Sequence, residues 1–238
     1  MTTGTAAAPK TRRSVPVWLE TALLLVLALA VAAVVKTFLV QMFFVPSGSM
    51  RPLLTNDDRI LVQKVSYWGD GHVERGDVVV FADPGSRWLG PTVEPTTMQK
   101  ALAKIGLYPT GGHLVKRVVG VGGDRVTCCD AEGRVRVNGV PLDEDDYVIA
   151  GAEPSERRFD VRVPEGRIWV MGDNRPDSQD SRFFGVVDRE LIVGRAWLRY
   201  FPLDRVGFVG HPTYAGLSDA AYDEAGSSAT IQLSMARP

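Results

Sequence analysis

A long apolar segment near the N-terminus constrains the fold of this 238-residue chain more than any other feature. Residues 21–35 carry no charge, but a helix of that length rises only about 22 Å, short of a bilayer core of about 30 Å. A helix that begins at Val15 is long enough if Glu20 and Lys36 lie near the headgroups at its two ends. We therefore predict a transmembrane anchor over residues 15–37.

The basic residues beside this segment predict its orientation. Lys10, Arg12 and Arg13 all precede it, and positive residues flanking a span stay on the cytoplasmic side. We expect residues 1–14 to be cytoplasmic and residues 38–209 to form an extracytoplasmic domain, attached to the cell membrane by a single pass.

Two other interpretations of the apolar segment remain open. A cleavable signal peptide would have a basic start, an apolar run and small residues such as Ala30 and Ala32. Those alanines lie inside the apolar run, however, and the chain stays apolar beyond them through Phe38 and Phe44, which favours an uncleaved anchor. The third interpretation is a buried helix of a soluble protein.

The balance of charge argues against a nucleic-acid partner. Lysine and arginine number 27 against 28 aspartates and glutamates, for a net charge of −1. There is no basic stripe interleaved with aromatic residues. We expect no nucleic acid to bind.

The rest of the chain is typical of a mainly β fold. Runs rich in β-branched and aromatic residues are separated by Gly, Asp, Asn and Pro, and no strand–helix alternation is present. The pattern predicts an antiparallel, partly barrel-like β domain. The predicted strands lie within residues 59–67, 76–84, 114–121, 124–129, 134–142 and 167–174.

Two segments depart from the strand pattern. An insert over residues 84–112 contains one helical pattern, residues 96–107, with threonine available as the N-cap. This helix either packs on the domain or dips into the membrane surface. Residues 210–238 are small, polar and aperiodic, so we predict a disordered tail.

The two cysteines, Cys128 and Cys129, are adjacent. Zinc sites need spaced cysteines accompanied by histidine or further thiols, and no such spacing occurs here. We expect no metal. A disulfide between the neighbours and two half-buried free thiols are both open at this point.

The stretch PSGSM, which contains Ser47 and Ser49, is the candidate nucleophile segment. A serine needs a base to take its proton, usually histidine. None of the three histidines, His72, His113 and His211, lies in a recognisable nucleophile motif. A lysine can replace histidine if burial keeps it neutral.

Lys116 is the best candidate for such a lysine. Alternation along a strand places it on one face with Leu114 and Val118, so this face carries a cation among apolar side chains. Lowering its pKa by about 3 from about 10.4 requires roughly 4 kcal/mol of desolvation, which makes sense at an active site. The alternative is a lysine at a sheet edge with its ammonium group in water.

Three motifs resemble, in order and setting, those of bacterial type I signal peptidases, membrane-anchored serine proteases with a Ser/Lys dyad. They are PSGSM after the anchor, VKRVVGVGGDRV, and MGDNRPDSQDSRFFGVV, and the resemblance covers residues 15–209. It implies the signal peptidase fold. It also implies a serine endopeptidase that removes N-terminal signal peptides from exported preproteins without a cofactor.

The resemblance assigns roles to individual residues. Ser49 is the expected nucleophile and Lys116 the general base. Ser47 is the expected side-chain donor of the oxyanion hole, together with the backbone N–H of Ser49. Ser178 is expected to orient the lysine. The ion-pair framework beside the site is expected from Asp173, Asp180 and Arg182, with Arg117 as a weaker match.

The resemblance also implies shallow apolar pockets for small substrate side chains. Close walls exclude large residues, which favours cleavage after Ala-X-Ala sequences. The expected partners are signal peptides and the lipid bilayer, and we expect a monomer. The positions that match pocket residues are Phe43, Val45, Met50, Leu54, Ile60 and Val115.

Some positions depart from the family pattern. They are Arg51, Gly122 and the Pro176–Asp177 pair, and they put loop geometry and substrate detail in doubt. Independently of these departures, two alternatives stay open. One is a related Ser/Lys protease with a dedicated substrate, and the other is an anchored extracytoplasmic module that only binds.

Overall fold

The computed structural model describes residues 16–69, 71–85, 88–89, 96, 98, 112–212, 214 and 217. It divides into two compact units, Met1–Leu39 and Val40–Pro238. The helix predicted over residues 96–107 lies outside the described residues, apart from Thr96 and Met98.

The described part of the first unit is a single apolar helix, α1, over Val17–Val34. Its mean hydropathy is 2.4 and none of its residues is buried. Apolar side chains surround the axis instead of lying along one stripe, which is typical of a helix exposed to lipid. Among the described residues, α1 is the one helix long and apolar enough to cross a membrane. A π-helical turn, Val35–Leu39, follows it.

The second unit is built from short strands. In chain order they are β1 Val40–Phe44, β2 Arg59–Gln63, β3 Val78–Ala82, β4 His113–Val121, β5 Arg125–Cys128, β6 Arg136–Val137, β7 Val140–Pro141, β8 Phe159–Arg162, β9 Arg167–Met171, β10 Val187–Asp188, β11 Ile192–Phe201 and β12 Gly207–Phe208. The one described helix of this unit with a full α-helical turn, α2, spans Ser181–Phe184.

These strands form two antiparallel sheets. The larger has the order β1-β2-β11-β3-β4-β9-β10, with β12 paired to β11, and the smaller has the order β7-β6-β5-β8. Strand β4 runs into β5 through a tight turn in which Gly123 has φ +89°, a conformation that favours glycine. The prediction of a mainly β, antiparallel fold is confirmed.

The larger sheet is strongly curled, as the predicted barrel-like form requires. Strands β1 and β4 are four positions apart in the sheet, which would separate them by about 19 Å if the sheet were flat. Yet the ring of Phe43 on β1 lies 5.2 Å from the ring of His113 on β4. Curling therefore brings the end of β1 close to β4, and the candidate nucleophile follows β1 directly.

Three apolar clusters form the core of the second unit. One contains Phe43 and Ile60, with residues of β3 and β11. A second contains Leu114 and Val118 of β4, which share a face as strand alternation predicts. The third lies between the two sheets and contains Trp169.

Strand β11, ten residues long, was not among the predicted strands. Its residues are largely β-branched or aromatic, but two irregularities interrupt its pairing with β2 and one interrupts its pairing with β3. Bulges break the period-two pattern on which strand prediction depends. Strands β1 and β8 also lie outside the predicted strands.

The second unit extends beyond the predicted boundary at residue 209. Tyr214 is only 7% exposed, and its hydroxyl lies 3.0 Å from that of Tyr147. Leu217 packs against the same cluster. Placing the start of a disordered tail at Gly210 was therefore wrong for Tyr214 and Leu217, because both side chains pack against the core. The later residues lie outside the described part of the chain.

The structure settles the state of the cysteine pair. Cys128 and Cys129 are bonded to each other as a disulfide. Cys128 is buried in the cluster between the sheets.

Candidate active site

The PSGSM segment forms a compact turn after β1. The backbone N–H of Val45 donates to Asp58 O at 2.9 Å, and that of Leu54 donates to Met50 O at 2.8 Å. Val45, Met50 and Leu54 are buried in one apolar cluster. These anchors fix the turn and leave Ser49, 5% exposed, at its inner side.

Ser49 is hydrogen-bonded to Lys116. Lys116 Nζ lies 2.6 Å from Ser49 Oγ, although 67 residues separate the two positions. Lys116 is 3% exposed and lies on β4, which pairs with β3 and β9. The oxygen of Ser47 lies 3.2 Å from Ser49 Oγ. The structure thus brings the three residues together.

Burial lowers the pKa of Lys116 to about 8. Removal from water penalises the charged ammonium group. The charges of Asp180 and Asp173 act in the opposite direction, whereas Arg182 lowers the pKa further. Near neutral pH a useful fraction of Lys116 is therefore neutral and able to accept a proton.

Residues 172–182, which follow β9, form a wall of the site beside the nucleophile turn. Gly172, the first of them, lies very close to this turn. A Cβ atom at this position would collide with the carbonyl oxygen of Ser49 and with the side chain of Ser178. The N–H of Gly172 donates to Asp180 Oδ2 at 3.0 Å. Only glycine permits this approach.

Asn174 joins the same wall to the nucleophile turn. Its backbone N–H donates to Ser49 O, and its side-chain Nδ2 donates to Gly48 O, both at 3.0 Å. Two hydrogen bonds from one residue hold the carbonyl groups of two successive residues, Gly48 and Ser49. Asn174 therefore fixes the place of the candidate nucleophile.

Buried ion pairs support this wall. Arg117 pairs with Asp173 at 2.7 Å, and Arg182 pairs with Asp180 at 2.8 Å. Asp180 also caps α2 by accepting from the N–H of Arg182. The predicted framework residues are thus all paired, with Arg117 as the partner of Asp173.

Ser178 is buried close to Gly172, but its hydroxyl has no hydrogen-bond partner in the described part of the chain. The structure does not show the expected bond to Lys116. The orienting role of Ser178 stays a prediction.

The six predicted pocket residues belong to one apolar cluster. Five of them are buried members, and Val115 packs against them. In this structure their side chains pack closely together, and the most buried of them lie beneath the surface of the cluster. The members are Phe43, Val45, Met50, Leu54, Ile60 and Val115.

One group of possible metal ligands lies within the described residues. Ligand atoms of Glu74, Asp77 and His211 lie within 4.8 Å of one another. However, the carboxylate of Asp77 already accepts from Arg195 at 3.1 Å and from Tyr67 at 2.8 Å. A metal would have to displace these partners, and none of the three residues contacts Ser49 or Lys116 in the described hydrogen bonds.

Several residues of the site were not identified from the sequence. Gly172, Asn174 and Arg175 lie inside the MGDNR motif, so the motif itself was the available signal. Glu144, which pairs with Arg175, lies in a segment with no motif. Its part in the site could only be found in three dimensions.

Comparisons with known proteins show the family to which this chain belongs. A family model described as signal peptidase, peptidase S26, matches residues 18–201. A probable signal peptidase I-2 of Synechocystis is 36% identical over 192 residues, which make up 81% of this chain and 77% of the relative. A signal peptidase I of Mycobacterium tuberculosis is 38% identical over 221 residues, covering 80% of this chain and 74% of the relative.

These matches show that the chain is a peptidase. More particularly, the chain belongs to the signal peptidase family, peptidase S26, whose model spans most of its length. Membership makes it an enzyme that cleaves signal peptides, as the resemblance of the three motifs predicts.

Proposed function

We propose that the chain is a membrane-bound serine endopeptidase in which Ser49 is the nucleophile and neutral Lys116 is the general base. The observation that carries the proposal is the 2.6 Å hydrogen bond between Lys116 Nζ and Ser49 Oγ, with both residues buried. A desolvated lysine within hydrogen-bond reach of a serine can activate it without histidine.

The geometry supports a two-step mechanism. Lys116 accepts the proton of Ser49 as Oγ attacks the scissile carbonyl carbon, and the resulting ammonium group then protonates the leaving amine. The Ser49 N–H and the Ser47 hydroxyl stabilise the oxyanion. Water, activated by Lys116 once it is neutral again, hydrolyses the acyl-enzyme. Desolvation lets one lysine serve in both steps, since its pKa lies close to the working pH.

The apolar cluster beside the dyad supports specificity for small residues. Phe43, Ile60 and Val115 form a dense wall next to the turn that carries Ser49. A methyl group fits such a wall, whereas a larger side chain has to displace packed atoms. We expect cleavage after Ala-X-Ala sequences in preproteins.

The surface of the catalytic unit supports a position at a bilayer. Met42, Leu61, Leu198 and Phe208 are consecutive partners across β1, β2, β11 and β12, so their side chains point to the same face. The ring of Trp197 packs against that of Phe208, with 5.5 Å between the ring centres. Together with α1 as anchor, this face would keep the enzyme beside membrane-held substrates, with the N-terminus cytoplasmic.

The test is cleavage of a secretory precursor by the purified, detergent-solubilised protein, with the cut mapped by mass spectrometry. We expect Ser49→Ala and Lys116→Ala each to lower the rate by about 10³-fold or more, because either change removes the nucleophile–base pair. Ser155→Ala and Lys64→Ala serve as matched controls and should cleave normally.

Wild-type rates for Ser49→Ala or Lys116→Ala would refute the mechanism. A functional wild-type enzyme that ignores ordinary precursors, but cuts one particular exported protein, would favour the alternative of a dedicated substrate. An Ala-X-Ala site replaced by residues with large side chains should no longer be cut.

A further inference from the structure

Glu144 links two parts of the wall behind the candidate dyad, although no sequence motif singles it out. It lies in the segment after β7, and its side chain is only 12% exposed. Its carboxylate accepts hydrogen bonds from both terminal nitrogens of Arg175 and from the hydroxyl of Tyr147. One side chain thus holds two neighbours in fixed positions.

The first neighbour, Arg175, acts on the backbone of the wall. Its Nε donates to Gly172 O at 3.0 Å, and its side chain is 1% exposed. A guanidinium group is planar and rigid. When Glu144 fixes the two terminal nitrogens, the direction of Nε is fixed too, and so is the carbonyl of Gly172.

The position of Gly172 matters because there is no spare space around it. A single added carbon at Gly172 would collide with Ser49 O. Two residues further on, Asn174 is hydrogen-bonded to Gly48 and Ser49. A displacement of the backbone at residues 172–174 would therefore displace the nucleophile turn as well.

The second neighbour, Tyr147, supports the strand that carries the base. The guanidinium carbon of Arg117 lies 4.3 Å from the centre of the Tyr147 ring. Arg117 follows Lys116 in β4 and pairs with Asp173. Glu144 therefore supports the wall on the side of the lysine as well as on the side of the serine.

Electrostatics explains why Arg175 needs Glu144. Burial acts to lower the pKa of Arg175, but the charge and hydrogen bonds of Glu144, together with smaller contributions from Tyr147 and Asp173, outweigh it and raise the pKa above its ordinary value. Without Glu144, a buried cation would lose its counter-charge, which is strongly unfavourable. A cavity of about 620 Å³, lined by both residues, offers Arg175 a route towards water. That movement would release Gly172 O.

We propose that Glu144 is a positioning residue for peptide cleavage: by holding Arg175 it fixes Gly172, and through Gly172 and Asn174 it sets Ser49 relative to Lys116. The inference rests on the proposed roles of Ser49 and Lys116. It assigns to a residue outside the three motifs an effect on the chemical step.

A double-mutant cycle on the full-length, detergent-solubilised enzyme tests this proposal. We expect Glu144→Ala and Arg175→Ala each to lower kcat by about 10-fold to 100-fold, since small displacements of reacting groups have effects of this size. KM should change by less than about twofold, because substrate contacts are kept. The double variant should be slower than Arg175→Ala alone by much less than the effect of Glu144→Ala on the wild type, since Glu144 acts mainly through Arg175 and only in part through Tyr147. Glu144→Gln, which keeps an acceptor oxygen, should restore part of kcat.

The control is Asp124→Ala, which breaks the buried pair of Asp124 with Arg75 at 2.7 Å. That pair is not hydrogen-bonded to residues 172–182 in the described structure, so Tm should fall while kcat stays normal. If Glu144→Ala behaves in the same way, its role is merely structural and the proposal is wrong. Multiplicative effects in the double variant would also overturn it.

A second mutant cycle and a parallel assay of Ser49→Ala complete the experiment. If Glu144→Ala does not fold, the cycle of Glu144→Gln with Arg175→Ala applies the same test. Ser49→Ala is assayed in parallel. Full activity of Ser49→Ala would refute the proposed function itself, whereas an inactive Ser49→Ala with an additive cycle would refute the role of Glu144 alone.

Discussion

Lys116 has a serine as its hydrogen-bond partner, and among the described residues no carboxylate lies within ion-pair distance of its ammonium group. Burial lowers its pKa from 10.5 to about 8 in the folded protein. The folded state therefore loses about 3 kcal/mol of stability at neutral pH through this residue. The unfolded chain binds the proton more tightly than the folded protein. The free energy of unfolding is therefore lowered by the full amount below pH 8, and it recovers as the pH rises from 8 to 10.5.

The same residue predicts the pH dependence of cleavage. Protonated Lys116 cannot accept a proton from Ser49, so kcat/KM should be low under acidic conditions and rise to half its maximum near pH 8, where the pKa of Lys116 lies. Initial rates on a peptide that contains an Ala-X-Ala site, measured from pH 6 to pH 10, check this. A flat profile, or a rise centred near pH 10.5, would contradict the lowered pKa.

Sequence patterns predicted the elements that are regular and the residues that lie in motifs. The strands around Lys116 and the apolar helix follow from hydrophobic periodicity, since burial of one face or of all faces leaves a repeat in the sequence. The motifs identify Ser49 and Lys116 separately, and the structure adds the hydrogen bond between them. The bulged strand β11 and the fold-back of Tyr214 were missed because irregular pairing and isolated apolar residues leave no repeat.

Glu144 shows a second limit of sequence reasoning. Its hydrogen bonds to Arg175 and Tyr147 depend on how the segment after β7 packs against the end of β9. Nothing in the spacing of these residues reports that packing. The unpartnered hydroxyl of Ser178 likewise shows that a motif can identify a residue without fixing its hydrogen bonds.

The segment after β12 provides a prediction at the level of elements. Truncation after Pro212 removes Tyr214, which is buried against Tyr147, and we expect the free energy of unfolding to fall by about 3 kcal/mol, a usual effect of deleting a buried aromatic side chain. Truncation after Leu217 keeps these contacts and is the matched control. Denaturant titrations of both proteins give the comparison. Equal stability of the two would show that the contact of Tyr214 contributes nothing.

The whole catalytic unit presents an apolar sheet face that predicts binding to lipid. Met42 and Phe208 lie in one row across four strands and are 50% and 72% exposed. A protein that starts at Val40, without α1, should still bind zwitterionic vesicles. Replacing both residues by serine should lower the bound fraction by about tenfold, because each loses apolar area that the bilayer would bury. Sedimentation with vesicles measures it.

The control for this prediction is Asp160→Ser on β8, in the smaller sheet, which should bind as the parent does. Binding that is insensitive to the substitutions at Met42 and Phe208 would mean that another surface contacts the lipid. Cleavage of a short soluble peptide should be unchanged in every variant, since neither residue contacts the dyad in the described hydrogen bonds.

Because the larger sheet is curled, the distance between Ser49 Oγ and Lys116 Nζ depends on several strand pairings together. Ser49 follows β1, the first strand in the order of the sheet, and Lys116 lies on β4, the fifth. Four successive strand pairings therefore determine how far the sheet curls between the two residues. Each pairing contributes its own twist. An inserted or deleted residue in β2, β3 or β11, none of which contains either partner, would change the sum of these twists. The contact between the proposed nucleophile and the proposed base is therefore sensitive to changes in every strand that lies between them in the sheet.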